Sequence, residues 1–81
     1  MMTLEARRVL WRCRRGMKEL DILLERFVRE DYERAPAEQK RAFTQLLELP
    51  DPELADYFFG YATPVEPELA HLTRLIATHR P

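Results

Sequence analysis

The sequence has little of the residues that tight turns, covalent cross-links and serine nucleophiles require. Its 81 residues include two glycines, one cysteine and no serine. A single cysteine excludes an intramolecular disulfide, and the lack of serine excludes a Ser-His-Asp catalytic triad. No apolar run approaches the roughly 20 residues of a membrane span, and the start of the chain has no apolar signal core. We therefore expect no membrane segment and a cytoplasmic protein.

The chain also has little net charge. Its 13 basic and 14 acidic residues give a formal net charge of −1, which argues against nucleic-acid binding by bulk electrostatics. Six basic residues are nevertheless concentrated near the start of the chain, namely Arg7, Arg8, Arg12, Arg14, Arg15 and Lys18. Such a local basic face favours an acidic partner, and a small helical nucleic-acid binder is the weaker interpretation.

The motifs of cofactor and metal chemistry are missing as well. The sequence has neither a Gly-x-Gly-x-x-Gly run nor a Walker loop, so it predicts no dinucleotide site of the usual kind. His71 and His79 are too far apart for a metal-binding pair and are expected to be solvated. Cys13 shares a helical stripe with Leu10 and Met17, so we interpret it as a small buried hydrophobic residue. We expect no enzyme activity, no metal and no cofactor of its own.

What the chain does contain is helical periodicity punctuated by six prolines, with no strand-like alternation. The first helix is predicted over about residues 4–14, after Thr3 as N-cap, and the second from Met17 to Glu33. The third helix begins at Pro36 and stops at Leu49, the fourth covers about 52–59, and a fifth follows the linker at 63–67. These boundaries predict an all-α fold, a compact bundle of five short helices in a single domain, 1–81.

The start of the fourth helix has the clearest local signal. Asp51 is predicted to cap it, Pro52 to occupy its first position and Glu53 to favour its positive end. Gly60 is predicted to close this helix. The tail from Thr78 to Pro81 is expected to be frayed.

The most informative stretch lies between the first two predicted helices, where Gly16 is preceded by basic residues and followed by Glu19 and Asp21. One interpretation is structural: Gly16 supplies a left-handed helix cap, and the charges complement the two helix dipoles. The other is functional. An exposed Arg15–Glu19 pair would contribute only about 0–1 kcal/mol to the fold, so the cluster favours a docking surface where Gly16 lets a partner approach.

Periodicity alone permits a rival architecture. Apolar residues follow a heptad spacing straight through Gly16, at Ala6, Leu10, Cys13, Met17, Leu20, Leu24 and Phe27. One unbroken helix from 4 to 33 would be about 45 Å long, and Gly16 inside it would cost about 1 kcal/mol relative to alanine. We therefore predict a break at Arg15-Gly16.

The stretch resembles the signature of the SdhE (YgfY) family of FAD assembly factors. The core of the match is Arg15-Gly16-x-x-Glu19, within the fuller pattern Trp11-x-Cys13-Arg14-Arg15-Gly16-Met17-x-Glu19-Leu20-Asp21. The Asp51-Pro52-Glu53-Leu54 start of the fourth helix also matches the family. The resemblance covers nearly the whole chain, and it implies the same break before the second helix.

The resemblance implies a function that the composition alone does not. Members of this family promote covalent attachment of FAD to the flavoprotein subunit of succinate dehydrogenase and, in some bacteria, of fumarate reductase. FAD would then be carried by the partner, and this chain would be an assembly chaperone, which we expect to be a monomer. The partner-binding residues implied or expected beside the motif are Arg15, Gly16, Glu19, Arg8, Trp11, Met17 and Asp21. An antitoxin-type regulatory protein is the alternative, because family members have also been described in that way.

Overall fold

The computed structural model describes residues 2–78, and the helices it contains confirm the predicted all-α class. In chain order they are α1 (Leu4–Arg12), α2 (Lys18–Glu30), a 3-10 turn (Tyr32–Arg34), α3 (Ala37–Leu47), α4 (Asp51–Phe59) and α5 (Pro67–Thr78). Five helices without a strand are what the periodicity predicts for this part of the chain. The predicted fraying of the tail and the solvated state of His79 concern residues 79–81, outside the described range.

The helix starts agree with the sequence signals to within one residue. The Thr3 hydroxyl accepts the Ala6 N–H at 3.1 Å, which confirms the predicted N-cap of α1. Pro36 is the N-cap of α3 instead of its first residue, and Pro50 is the N-cap of α4. The predicted capping role of Asp51 is therefore wrong. Asp51 is the first residue of α4, and Pro52 is the second instead of the predicted first. The Asp51 carboxylate binds elsewhere.

Three helix ends come earlier than predicted, and one of them is that of α3, which ends at Leu47, two residues before the predicted stop at Leu49. Helix α1 ends at Arg12, because the Cys13 N–H bonds to the Leu10 carbonyl at 3.0 Å and tightens the last turn. Helix α2 ends at Glu30, and the 3-10 turn carries the chain on to Arg34. Such tightening at a helix end satisfies carbonyls that have no partner further along the helix.

The hydrophobic core is built around one face of α2, which packs against α1 and α5, while α5 packs against α3 and α4. The buried side chains of α2 are Leu20, Leu23, Leu24, Phe27 and Val28. Each such side chain stabilises the fold by about 1.5–3 kcal/mol when it is fully buried. The Phe27 ring lies 4.7 Å from that of Phe43 on α3, so the core continues directly from one helix to the other.

The single unbroken helix that the heptad spacing allows is not formed. Residues 13–17 are not helical, and α1 and α2 pack against each other as a helical hairpin. The predicted break is therefore confirmed. No helix in the 2–78 range is both long enough and apolar enough to cross a membrane.

Cys13 is fully buried in this hairpin, as the sequence predicts, and its thiol donates to the Val9 carbonyl at 3.4 Å. Burial, followed by the negative charge of Glu25, raises the pKa of the Cys13 thiol to about 12. A thiolate inside the core would be desolvated, so the folded chain keeps the proton that the unfolded chain loses near pH 9. Cys13 therefore contributes stability that is present below pH 9 and is lost as the pH rises towards 12.

We expect the free energy of unfolding to fall by roughly 1 kcal/mol between pH 9 and pH 10, because only the unfolded thiol titrates there. Urea unfolding of the wild type at pH 8, 9 and 10 measures this fall. Cys13→Ala is the matched variant, in which the fall should be absent below the pH at which tyrosines ionise. An equal pH dependence in both proteins would contradict the assignment.

Candidate functional site

The connection between α1 and α2 exposes a stretch of bare backbone at Gly16. This residue has a φ of +90°, a conformation that L side chains rarely adopt. A Cβ added there would meet nothing within 4 Å, and the residue is exposed. Glycine is therefore needed here for its backbone conformation, and the space that a side chain would occupy at this position is open. It does not cap α1 directly, as the helix-end interpretation predicted, because the C-cap is Cys13 and Met17 is the N-cap of α2.

Asp21 holds the backbone of this connection. Its Oδ1 accepts the Arg15 N–H at 3.0 Å, and its Oδ2 accepts the Gly16 N–H at 3.1 Å. Hydrogen bonds to a charged acceptor contribute about 1.5–3 kcal/mol each, more than neutral ones. Because one rigid carboxylate binds two successive amides, it fixes the direction of the chain where the conformation is least usual.

The side chain of Arg15 holds the same connection from the other side. Its Nε donates to Asp51 Oδ1 at 2.7 Å, and its two terminal nitrogens donate to the carbonyls of Leu47 and Leu49, at 2.7 and 2.6 Å. The side chain is only 14% exposed. The planar fork of arginine suits this set of acceptors, which the three donors of a lysine ammonium could not match in direction. The guanidinium therefore joins the α1–α2 connection to the corner between α3 and α4.

These contacts differ from the expected exposed Arg15–Glu19 pair. The guanidinium is turned inward to Asp51, and none of the ion pairs among residues 2–78 involves Glu19. The predicted charge-assisted contact between Arg15 and a partner stays a prediction. The geometry gives Arg15 a role that sequence reasoning missed. Its side chain anchors the segment next to Gly16 to the corner between α3 and α4.

The exposed side chains around this connection belong to α1 and to the first turn of α2. Trp11 is 71% exposed, more than the partial cover expected from its place beside the apolar stripe. The Arg14 guanidinium lies 5.4 Å from the centre of the Trp11 ring, in cation–π range. Arg8, one turn before Trp11, and Glu19 are also exposed. Because tryptophan is among the residues most enriched at the energetic centres of interfaces, this side of the hairpin is a candidate interaction surface.

The structure places all seven predicted site residues on one helical hairpin, in three groups. Four are exposed, namely Arg8, Trp11, Gly16 and Glu19. Met17 is half-buried and packs against the core. Arg15 and Asp21 are half-buried and bind within the chain. Their binding of a partner remains a prediction, but Arg15 and Asp21 are placed to hold the connection that exposes Gly16.

Asp51 is the site residue that sequence reasoning missed. It is 36 positions from Arg15 in the chain, and its place before Pro52 reads as an ordinary helix start. No spacing rule connects residues so far apart, because their contact depends on how α4 packs in the folded protein. The only available signal was that Asp51 begins the second motif shared with the resembled family.

The residues present offer little for catalysis. Among residues 2–78, no group of three or more His, Cys, Asp or Glu side chains could hold a metal ion. His71 is exposed, as expected for a solvated side chain. The Cys13 thiol has a raised pKa and is buried, the opposite of what a nucleophilic cysteine needs. What the arrangement can do is present a fixed surface to another protein.

Comparison with known proteins gives a consistent match along the chain. A family model described as Sdh5, flavinator of succinate dehydrogenase, matches residues 7–80, a range that includes the whole Trp11–Asp21 signature and Asp51. The match therefore covers the exposed glycine in the α1–α2 connection and also the α3–α4 corner to which Arg15 binds.

Curated relatives carry a matching name. The FAD assembly factor SdhE of Coxiella burnetii is 45% identical over 73 residues, which cover 90% of this chain and 89% of that protein. The FAD assembly factor SdhE of Acinetobacter baylyi is 41% identical over 71 residues, covering 88% of this chain and 84% of the relative. The protein of the same name from a Serratia species is 39% identical over 71 residues, covering 88% and 81%.

Proposed function

The chain belongs to the family described as flavinator of succinate dehydrogenase, and we propose that it is an assembly factor that binds the flavoprotein subunit of that enzyme and promotes its covalent flavinylation. FAD, in this proposal, is carried by the partner, and the covalent bond forms within the flavoprotein. The relatives named as FAD assembly factors support this proposal, since they match most of the chain.

The observation that carries the proposal is the open backbone at Gly16. Its Cβ position is free of any neighbour within 4 Å, and exposed Trp11 and Glu19 lie on the helices to either side. A partner can therefore contact the main chain itself between an aromatic anchor and a carboxylate. Tryptophan is among the residues most enriched at the energetic centres of interfaces, so its exposure here supports docking.

The docked chain would act by favouring one arrangement of the flavoprotein. A ligand shifts a conformational equilibrium only by its differential affinity for the two states. We propose that the flavoprotein arrangement competent for covalent attachment binds this surface more tightly than the incompetent one. Moving that population from about 1% to about 99% requires roughly 10⁴-fold tighter binding to the competent state.

The resemblance supports three finer proposals. The flavoprotein of fumarate reductase would be a second partner in hosts that carry one. The chain would act as a monomer, because its apolar heptad residues on α2 are already buried in its own core. It would act in the cytoplasm, as the sequence analysis expects.

A reconstitution experiment tests the proposed function. Purified apo-flavoprotein subunit of succinate dehydrogenase is incubated with FAD and dicarboxylate, with and without this chain, and flavin fluorescence is measured in a denaturing gel. We expect the chain to increase the initial rate of covalent flavin formation at least about tenfold, which corresponds to about 1.4 kcal/mol of barrier. Equal rates with and without the chain would overturn the proposal.

The single tryptophan gives the same experiment a binding readout. A chain labelled with 5-fluorotryptophan has one ¹⁹F resonance, from Trp11. We expect it to shift and broaden when the apo-flavoprotein is added, because an exposed ring becomes covered. Increased flavinylation with an unchanged resonance would place the docking surface elsewhere on the chain.

A further inference from the structure

We infer that Asp51 is a positioning residue for the partner surface, because it holds Arg15 and, through Arg15, the conformation of the exposed backbone at Gly16. The expected effect of Asp51 on partner affinity rests on the proposed function, whereas its effect on the Gly16 backbone is a property of the free chain. Asp51 does not lie on the α1–α2 hairpin that carries the seven predicted site residues. Its effect would therefore be transmitted from α4.

The first step of the argument is the direction of the Arg15 side chain. All three of its nitrogens donate to the α3–α4 corner, to Leu47, Leu49 and Asp51. Any other rotamer would give up these bonds together. Asp51 supplies the only charged acceptor of the three, at 2.7 Å, and a charge-assisted bond is roughly twice as strong as a neutral one.

The second step is that the backbone of the same residue is held independently. The Arg15 and Gly16 N–H groups bind the Asp21 carboxylate, which belongs to α2. The connection is thus fixed by its side chain to one part of the fold and by its amides to another. With both attachments in place the unusual φ of Gly16 is fixed before any partner arrives.

The third step relates this fixed shape to affinity. Binding is weakened by whatever ordering it requires, so a surface that is already ordered binds more tightly. If only a fraction of molecules has the competent conformation, the apparent Kd rises by the reciprocal of that fraction. Removing the Asp51 charge and leaving about a tenth of the molecules competent would therefore weaken binding about tenfold.

The test uses Asp51→Asn, which keeps the shape of the side chain and removes its charge. Glu53→Gln is the matched control, because Glu53 is an acidic, exposed residue in the same first turn of α4 and its carboxylate faces the Tyr57 hydroxyl instead of Arg15. Both variants lose one negative charge at the helix N-terminus. Only the first weakens the bond to Arg15, because the amide oxygen of the substituted side chain can still accept from Nε but carries no charge.

The positioning is measured on the free chain. The two glycines, Gly16 and Gly60, give distinct backbone amide signals, and Gly60 caps α4 far from Asp21 in sequence. We expect hydrogen exchange of the Gly16 amide to accelerate about tenfold in Asp51→Asn, with the Gly60 amide unchanged, since local opening is decoupled from global unfolding. Exchange at Gly16 equal to wild type, or equal acceleration of both amides, would overturn the inference.

The consequence is measured as the Kd for apo-flavoprotein. We expect about a tenfold increase for Asp51→Asn and no change for Glu53→Gln. In the Arg15→Met background, which has no cation or donor at this position, adding Asp51→Asn should change Kd less than twofold, because a residue that acts through the Arg15 guanidinium has no further effect once that group is gone. Independent, multiplicative effects would show that Asp51 does not act through Arg15.

The two proposals fail in different ways. If the wild type does not bind apo-flavoprotein, the proposed function falls, and the Gly16 amide still decides whether Asp51 positions the connection. If the wild type binds and Asp51→Asn binds equally well, the inference falls alone.

Discussion

Replacing Gly16 with arginine is expected to reduce covalent flavinylation at least about tenfold while the chain remains folded. The loss of activity should exceed the loss of stability, because the substituted side chain fills the open space where a partner would contact the backbone. A tenfold loss corresponds to only about 1.4 kcal/mol, less than the effect of one lost interface anchor. In-gel flavin fluorescence after reconstitution measures the rate.

The stability cost of this substitution has a definite source. A non-glycine residue at a φ of +90° is strained by about 1–3 kcal/mol, whatever space surrounds it. Nothing within 4 Å of the Cβ position has to move, so strain is the main contribution. For a domain of this size, each 1 kcal/mol lowers the Tm by roughly 4–8 °C, so the variant should still be folded at the assay temperature.

Gly60→Arg is the matched control for this experiment. Gly60 has a φ of +87°, and its Cβ position is equally free of neighbours within 4 Å. It is the C-cap of α4 and lies outside the Trp11–Asp21 signature. We expect Gly60→Arg to lose about as much stability as Gly16→Arg and to flavinylate at the wild-type rate. Equal losses of activity in the two variants would indicate that stability, rather than access to Gly16, controls the reaction.

Replacing Arg15 with alanine is expected to destabilise the chain by about 3 kcal/mol, which lowers the Tm by roughly 12–24 °C. The variant removes three donors at once and leaves Asp51 without its cation. The estimate stays at the low end of the range for a broken buried pair, since the Asp51 side chain is 39% exposed and water can solvate it. Thermal and urea unfolding, followed by circular dichroism, measure the change.

Arg14→Ala provides the comparison. Arg14 is adjacent in the chain and equally charged, but it is exposed and contacts the Trp11 ring only through a cation–π interaction at 5.4 Å. Such exposed contacts contribute about 0.5–1 kcal/mol, so we expect a change in Tm of only a few degrees. Similar destabilisation by both variants would contradict the inward role of Arg15.

Much of the fold follows from local rules that the sequence displays. Apolar residues at helical spacing identify α2 and its buried face, and the cap at Thr3 is read from three adjacent positions. The break before α2 was predicted because glycine is poorly placed inside a helix and the chain is too short for a helix of that length. These features depend on residues within a few positions of one another, where propensity and periodicity are informative.

The candidate site was predicted less completely. The signature indicated the connection whose glycine the structure shows to be exposed, since both belong to one continuous stretch. The direction of the Arg15 side chain was not predictable, because its acceptors include the main-chain carbonyls of Leu47 and Leu49, which have no sequence signal. The exposure of Trp11 was underestimated for a related reason, since a position beside an apolar stripe does not reveal how far the neighbouring helix reaches.

The guanidinium of Arg15 binds acceptors in residues 47–51, which are synthesised well after the Trp11–Asp21 signature. The seven predicted site residues lie on α1, α2 and the connection between them, yet the Arg15 contacts that hold this connection form only when residues 47–51 have taken their places. A ribosome-bound or truncated chain that has only the α1–α2 hairpin would contain every predicted site residue but would lack the acceptors that hold the Arg15 side chain. Under the proposed function, the chain would therefore bind a flavoprotein only after its own α3–α4 corner has folded.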